Sequence, residues 1–209
     1  MRNVTDRTSN PFDMRPPCER FVPGYGDANA HFHVIGDHPD VHGGAETGVP
    51  FTGTDAAERL QRALRDGGLL HETGAEPVVA KTFLSYLHMC VPDGAPTAAD
   101  YAELEPFFDA ELRAIAAHVL LPVGARATAH VLEQYTARAA DTPVEMDRLH
   151  GVELLGSGWL VVPVQDPAEW DADDDERLIA GLRELRRTDY RRESDLGRFL
   201  PGGDPYLVR

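Results

Sequence analysis

The chain has 209 residues, 42% of them hydrophobic, which fits one sizeable globular domain and excludes disorder or a collagen-like repeat for the whole. Lys plus Arg number 20 against 35 Asp plus Glu, a formal net charge of −15 that excludes broad electrostatic attraction to nucleic acid. No stretch approaches the roughly 20 apolar residues of a membrane span, and Met1 to Pro11 lacks the apolar middle of a signal peptide, so a cytoplasmic location is expected.

His31 to Gly36 alternates into an apolar end and stops at glycine, as a buried strand entering a functional turn does. Thr54, with Asp55, Leu60, Leu64 and the Gly67-Gly68 stop, predicts a capped amphipathic helix. Pro77 to Leu87 predicts a second strand running toward Cys90. Thr97 to His118 is helical in pattern and is expected in two pieces, because Pro106 suits a first helical turn rather than a helix interior. Val119 to Gly124 is a short apolar run, followed by a helix over Ala125 to Ala139. Gly151 to Leu155 and Trp159 to Val164 read as a last pair of strands before the acidic helix Ala172 to Arg187.

This alternation predicts an α/β fold with a mostly parallel sheet covered on both faces. In such sheets ligands bind at the carboxyl ends of the strands, here the turns after Ile35, Leu87, Val123 and Val164. The expected organisation is a peripheral segment 1–17, a domain 18–190 and a tail 191–209 packed on or near it. Cys18 and Cys90, far apart in a cytoplasmic setting, are expected to be reduced, and two cysteines cannot close a four-cysteine metal site. Lys81 is the only lysine, and an acidic, arginine-dependent chain resembles proteins of salt-loving archaea.

The runs Val34-Ile-Gly-Asp-His-Pro-Asp40 and Thr47-Gly-Val-Pro-Phe-Thr-Gly53 resemble the first motif of uracil-DNA glycosylases of the iron-sulfur type, in which a strand ends in Gly-Glu-Ala-Pro-Gly before a Gly-x-Pro-Phe-x-Gly segment. The resemblance continues through Pro106-Phe-Phe-Asp-Ala-Glu-Leu and His118-Val-Leu-Leu-Pro-Val-Gly-Ala-Arg-Ala-Thr128. It reaches Trp159-Leu-Val-Val-Pro-Val-Gln-Asp-Pro167 at the place of the second motif, and covers about Cys18 to Leu185. It implies a three-layer α/β/α fold around a four-stranded sheet. It also implies base-excision repair of DNA carrying uracil or another deaminated base, by a monomer with no membrane partner.

Breaking a base-sugar bond requires an extruded nucleotide, an aromatic platform, donors for the leaving base and a placed water. Under the resemblance Phe51 is the platform, or else an ordinary core residue. Asp37, His38 and Asp40 are the catalytic candidates, with Gly36 and Pro39 shaping the turn; the carboxylates position water or stabilise the cationic sugar, or simply cap an acidic turn. His31, His33, His38 and His42 also permit a metal reading.

The departures are equally specific. Cys18 and Cys90 match two of the family's four cluster cysteines, while Phe21 and Leu104 fall near the other two positions, so the iron-sulfur cluster is expected to be lost, no cofactor is expected, and packing should replace it as a staple. Tyr86 lies where the family reads uracil with an asparagine, and one hydroxyl cannot copy an amide's paired donor and acceptor. Asp166-Pro167 replaces His-Pro; Asp166 cannot donate unless protonated, Gln165 could donate instead, and the alternative for Asp166 is a turn former. His150 is a further imidazole nearby. Arg183, Arg186, Arg187, Arg191, Arg192 and Arg198, with Tyr190 and Phe199, form a secondary candidate DNA surface or a solvated helix end. Gly43, Gly44 and Gly53 offer backbone amides for phosphate. Two functions remain open: a DNA glycosylase of altered base selectivity, and a non-catalytic nucleic-acid or protein-binding module. A metal-dependent hydrolase is a third option.

Overall fold

The computed structural model describes residues 13–136 and 144–191 and the backbone of 8–9. In chain order its elements are β1 (Thr8–Ser9), β2 (Tyr25–Gly26), β3 (Phe32–Gly36), α1 (Pro39–His42), α2 (Asp55–Asp66), β4 (Leu70–Glu72), β5 (Val78–Val79) and β6 (Thr82–Tyr86). There follow α3 (Ala98–Ile115), β7 (Val119–Pro122), α4 (Gly124–Tyr135), α5 (Met146–Leu149), β8 (Leu154–Leu155), β9 (Leu160–Val161) and α6 (Asp174–Leu185).

The main sheet has the order β1-β2-β6-β3-β7-β9-β8. Its centre, β6-β3-β7-β9, is parallel throughout, with Phe32 opposite Thr82 and Val119, and Val119 opposite Leu160. The expected four-stranded parallel core is therefore present, extended at its edges by antiparallel strands. One of these, β1, comes from the segment expected to be peripheral. Alternating side chains divide the core. Phe32 and Val34 of β3 and Val119 and Leu121 of β7 meet Leu60 and Leu64 of α2 and Leu178 and Leu182 of α6. Ile35 and Leu120 point the other way, into a second cluster with Phe108 and Leu112 of α3 and Val131 and Leu132 of α4. Burying both faces explains the short, almost wholly apolar strands.

Several elements differ from expectation. The strand placed over Pro77 to Leu87 is two: Lys81 takes a left-handed conformation (φ 52°) that breaks it, leaving β5 to pair with β4 in a separate ribbon. The Thr97 to His118 helix is one continuous helix, not two. Thr97 opens it with a capping box to Asp100, and Leu104, Phe108, Leu112 and Ile115 stay on one buried stripe across Pro106. Ala102 and Pro106 are both exposed, so the carbonyl left without a helical donor faces solvent. The α4 helix ends at Tyr135, and the rest of its expected span lies outside the described residues.

The cysteines are not reduced: Cys18 and Cys90 form a disulfide, with Cα atoms 6.2 Å apart. Val22 N–H donates to Met89 O and Val91 N–H to Arg20 O, flanking an antiparallel bridge between Phe21 and Cys90. These bonds lay the N-terminal segment beside residues 89–91 and bring the sulfurs together. The two cysteines are 72 positions apart, and a pairing made by such a bridge is invisible to sequence spacing. The staple expected to be packing alone is thus covalent.

Candidate active site

The carboxyl ends of β3, β6, β7 and β9 converge, as a parallel sheet requires. Leu87 N–H donates to Gly36 O, His88 N–H to Asp37 O, Val123 N–H to Ile35 O and Gly124 N–H to Val164 O, each at 2.8–3.0 Å. These bonds hold the turn after β3 between its neighbours.

Asp37 follows directly on β3. Its carboxylate accepts a short hydrogen bond from the Tyr101 hydroxyl, and Arg126 Nε lies 3.6 Å from its other oxygen. The Arg126 guanidinium also sits 4.6 Å over the Tyr101 ring. Burial, with the Asp37 carboxylate beside it, pushes the Tyr101 phenol up, so this hydroxyl stays protonated and donates. Sequence reasoning passed over Tyr101 and Arg126. They belong to α3 and α4, and only the wrapping of both helices over one face brings them to Asp37.

His42, in the last turn of α1, is the centre of the loop. Its Nδ1 accepts the Asp37 N–H at 2.9 Å, which places the ring proton on Nε2. That atom faces Asp166 Oδ2 across 3.6 Å, too long for a hydrogen bond. Burial pushes Asp166 up, but His42 and the Ala168 N–H outweigh it, and its carboxyl lies below the usual range. Asp166 is therefore ionised and cannot donate to a leaving base. Its Oδ1 accepts from Ala168 N–H at 2.9 Å, the geometry of a turn former. His38 is buried, with Nδ1 unpartnered among the described residues; burial lowers its pKa, so the imidazole is neutral at pH 7. Asp40 stands exposed on α1, while Pro39 is buried.

Phe51 lies one side chain away from the Asp37 turn, its ring stacked on His42 at 5.9 Å. Its backbone is left-handed (φ 57°), an outlier for an aromatic residue, and neighbours pin both of its peptide groups. Its N–H donates to the Tyr86 hydroxyl at 2.8 Å, and its carbonyl accepts from Gln61 Nε2 at 2.7 Å. The ring, however, is not presented as a platform. Phe51 is 1% exposed and Tyr86 0%, so both rings are buried. Tyr86 fills the ground between Gly36 and Phe51.

Other expected contributors are committed elsewhere. Gln165 is fastened through its backbone, its N–H to His150 Nδ1 and its carbonyl to Trp170 Nε1. His150 bonds Asp174 O through Nε2, so both its nitrogens brace the loop. Gly44 N–H is taken by Thr52 O. The basic stretch sits at the other end of the sheet: Arg183 and Arg186 donate to Asp66 O and Gly67 O, capping α2, and Tyr190 contacts His31 before β3. Arg192, Arg198 and Phe199 lie outside the described residues.

The four early histidines are not one cluster. His31 meets Tyr190, His33 meets Ser85 Oγ at 2.7 Å, and only His38 and His42 face the strand ends. Among the described residues no group of three or more His, Cys, Asp or Glu is arranged to hold a metal ion. An iron-sulfur cluster does not fit the residues present either. Phe21 bridges Cys90, Leu104 is buried, and the two cysteines are bonded to each other.

The family model of the uracil DNA glycosylase superfamily matches residues 23–179. The chain belongs to that superfamily. Relatives named type-5 uracil-DNA glycosylase match it in Mycobacterium leprae (30% identical over 158 residues, 69% of each chain) and Pyrobaculum aerophilum (28% over 176 residues, 80% of this chain and 74% of the relative). The Mycobacterium bovis relative of the same name is 26% identical over 164 residues. That match covers 76% of this chain but 61% of the relative, so the chain spans about three fifths of that protein's length. The resemblance carried by the motifs is thus shown at the level of the superfamily. Among the described residues, no helix is long and apolar enough to cross a membrane.

Proposed function

We propose that this chain hydrolyses the N-glycosidic bond of uracil or another deaminated base in DNA, acting as a cytoplasmic monomer without a cofactor. The observation that carries the reading is the Asp37 carboxylate, held between the Tyr101 hydroxyl and Arg126 at the end of β3, one imidazole away from Phe51. A fixed carboxylate at that point stabilises the positive charge that develops on the sugar and orients the attacking water. His38, neutral and beside Asp37, takes the water's proton, and Asp40 stands at the mouth. Gly36 and Pro39 shape the turn. The His42 Nε2–H and the side-chain amide of Gln165, whose backbone N–H is held by His150, are the donors for the departing base, because ionised Asp166 repels it. Asp166 instead orients His42.

A second reading, a non-catalytic nucleic-acid or protein binding module, is favoured by one observation: the ground beside Phe51 is closed by Tyr86. The two separate on incubation of the purified protein, in molar salt, with oligonucleotides carrying uracil, hypoxanthine or xanthine, followed by alkaline cleavage. Strand breaks that vanish in Asp37→Asn support the enzyme. Binding without release for every base, unchanged in that variant, supports the module.

A further inference from the structure

A cleft of about 530 Å3 opens at the amino ends of β3 and β6, the end of the sheet away from the Asp37 turn. Phe32 and Tyr190 line it, their ring centroids 5.2 Å apart, beside the apolar Val78 and Val79 of β5. Its polar wall is built around cations, in a chain whose formal net charge is −15. Lys81, the only lysine, holds the left-handed backbone between β5 and β6 (φ 52°), a conformation sterically disfavoured for any residue but glycine. Its carbonyl accepts the His31 and Phe32 N–H groups, at 2.8 and 3.2 Å, and its ammonium donates to Asp27 Oδ2 at 2.8 Å. Asp27 is buried, and its other oxygen accepts the Asn29 N–H, so this carboxylate is committed to holding a lysine whose own side chain stays half exposed.

Arg186 borders the same cleft. It lies across Gly68, where a Cβ would come within 1.8 Å of Nη1, and that nitrogen donates to Gly67 O at 3.3 Å. Arg59, Arg62, Arg65, Arg113, Arg148 and Arg177 each face a carboxylate, whereas Arg186 faces none among the described residues. His31 and His71 also line the cleft. Burial lowers the His31 pKa, and Arg191, His118 and Lys81 lower it further against Asp27 alone, so the local field is positive.

We propose that this cleft is a second ligand site and that it takes a phosphate monoester carried on a planar ring, the chemistry of a nucleotide. A guanidinium and an ammonium fixed on separate elements suit a dianion, because a phosphate accepts from several donors at once. The half-buried Tyr190 ring, held through its hydroxyl to His31 Nδ1 at 3.0 Å, offers a base an aromatic wall, and the volume lies within the range of small-ligand sites. A monocarboxylate would leave one cation unanswered, and inorganic phosphate would leave the aromatic wall bare. The same chemistry has two sources, a free mononucleotide and the phosphorylated end of a DNA strand. Neither depends on the glycosylase reading, since Asp37 lies at the opposite end of the strands.

The test is isothermal titration calorimetry of the full chain with deoxyadenosine monophosphate at about 0.1 M salt, where charges within roughly 10 Å still act on one another. Saturable binding with Kd below about 1 mM is expected, with deoxyadenosine and inorganic phosphate each at least about tenfold weaker. Arg186→Gln and Lys81→Gln should each weaken the mononucleotide about tenfold, and Tyr190→Leu should bring it down to the level of inorganic phosphate. Arg148→Gln, on α5, should leave it unchanged. In NMR spectra the amides of Gly68 and Lys81 should shift on binding while those of Gly36 and Asp37 stay still. Lys81→Gln strips the buried Asp27 of its cation; should that variant not fold, Arg186→Gln and Tyr190→Leu decide alone. A tetranucleotide of undamaged bases with a terminal phosphate separates the sources: binding as tight as the mononucleotide or tighter names the strand end, and weaker binding names the free nucleotide. A tetranucleotide without the terminal phosphate that matches the mononucleotide overturns the proposal. So do affinity indifferent to the phosphate or to the ring, affinity unchanged in Arg186→Gln, and shifts confined to the Asp37 turn.

Discussion

Asp37 accepts a hydrogen bond from the Tyr101 hydroxyl and lies beside the Arg126 guanidinium. Tyr101 is thus a positioning residue. Under the glycosylase reading, Tyr101→Phe should lower kcat by about tenfold to a hundredfold while leaving KM nearly unchanged, because it frees the carboxylate to turn without touching DNA. A rise in KM alone would contradict this.

Elsewhere at the residue scale, Glu111 is fully enclosed beside Gly24, whose missing Cβ leaves room for its Oε2. Burial, partly opposed by a hydrogen bond with the Ser85 hydroxyl, pushes its carboxyl up to about 8, and burial takes His33, also bonded to Ser85, down to about 3. The signs differ. From pH 3 to 6.5 the unfolded chain holds a proton that folded His33 refuses, so stability rises with pH there. From 4.5 to 8 folded Glu111 holds a proton that the unfolded chain has lost, so stability falls. His38, His130 and His150, all lowered, act on the same side as His33. In the lower part of the window from 6.5 to 8 the unfolded histidines still give up protons, which raises stability, while Glu111 lowers it by roughly 2 kcal/mol across the window. The wild-type minus Glu111→Gln difference isolates Glu111, and that difference should fall by this amount in urea unfolding at pH 6.5, 7.25 and 8.

At the scale of elements, α2 and α3 begin where a side chain replaces a missing backbone partner. Thr54 Oγ1 accepts the Ala57 N–H at 3.1 Å to start α2, directly after the loop that carries Phe51. Thr54→Ala should cost about 1 kcal/mol in urea unfolding. Because the cap also fixes the exit of that loop, the Phe51 amide should exchange with solvent faster in the variant. Loss of stability without faster exchange at Phe51 would mean that the loop is held by Gln61 and Tyr86 alone. The surprise at this scale is Pro106. It was readable as a helix start, and it sits mid-helix because the carbonyl it orphans faces water while the apolar stripe passes underneath. Local propensity lost to packing that only the finished face supplies.

For the molecule as a whole, the Cys18–Cys90 bond closes a loop of 72 residues from the N-terminal segment to the strand-end region. The segment it anchors is otherwise held by backbone bonds at Val22 and Val91. Reduction should lower stability by up to about 4 kcal/mol on a chain-entropy account. It should be visible as a drop in Tm with dithiothreitol that Cys18→Ala reproduces. A Tm indifferent to reductant would show that the backbone bridge suffices. His88 Nδ1 bonds Cys90 O, and its ring also contacts His38 and Tyr101, so the same treatment tests whether the staple supports the site. Loss of base release without loss of secondary structure would show that it does.

Sequence alone determined the alternation of strands and helices, the parallel core and its carboxyl-end loops, because apolar periodicity and capping residues act within a few positions of one another. It located Asp37, His38, Phe51, Tyr86 and Asp166 at one end of the sheet through the order of their motifs. Tertiary structure decided which atoms meet. The pairing of Cys18 with Cys90, the hold of Tyr101 and Arg126 on Asp37 and the bond from Phe51 N–H to the Tyr86 hydroxyl all join residues tens of positions apart. Such contacts depend on how two helices and four strands pack, a matter of excluded volume in three dimensions that no linear spacing records.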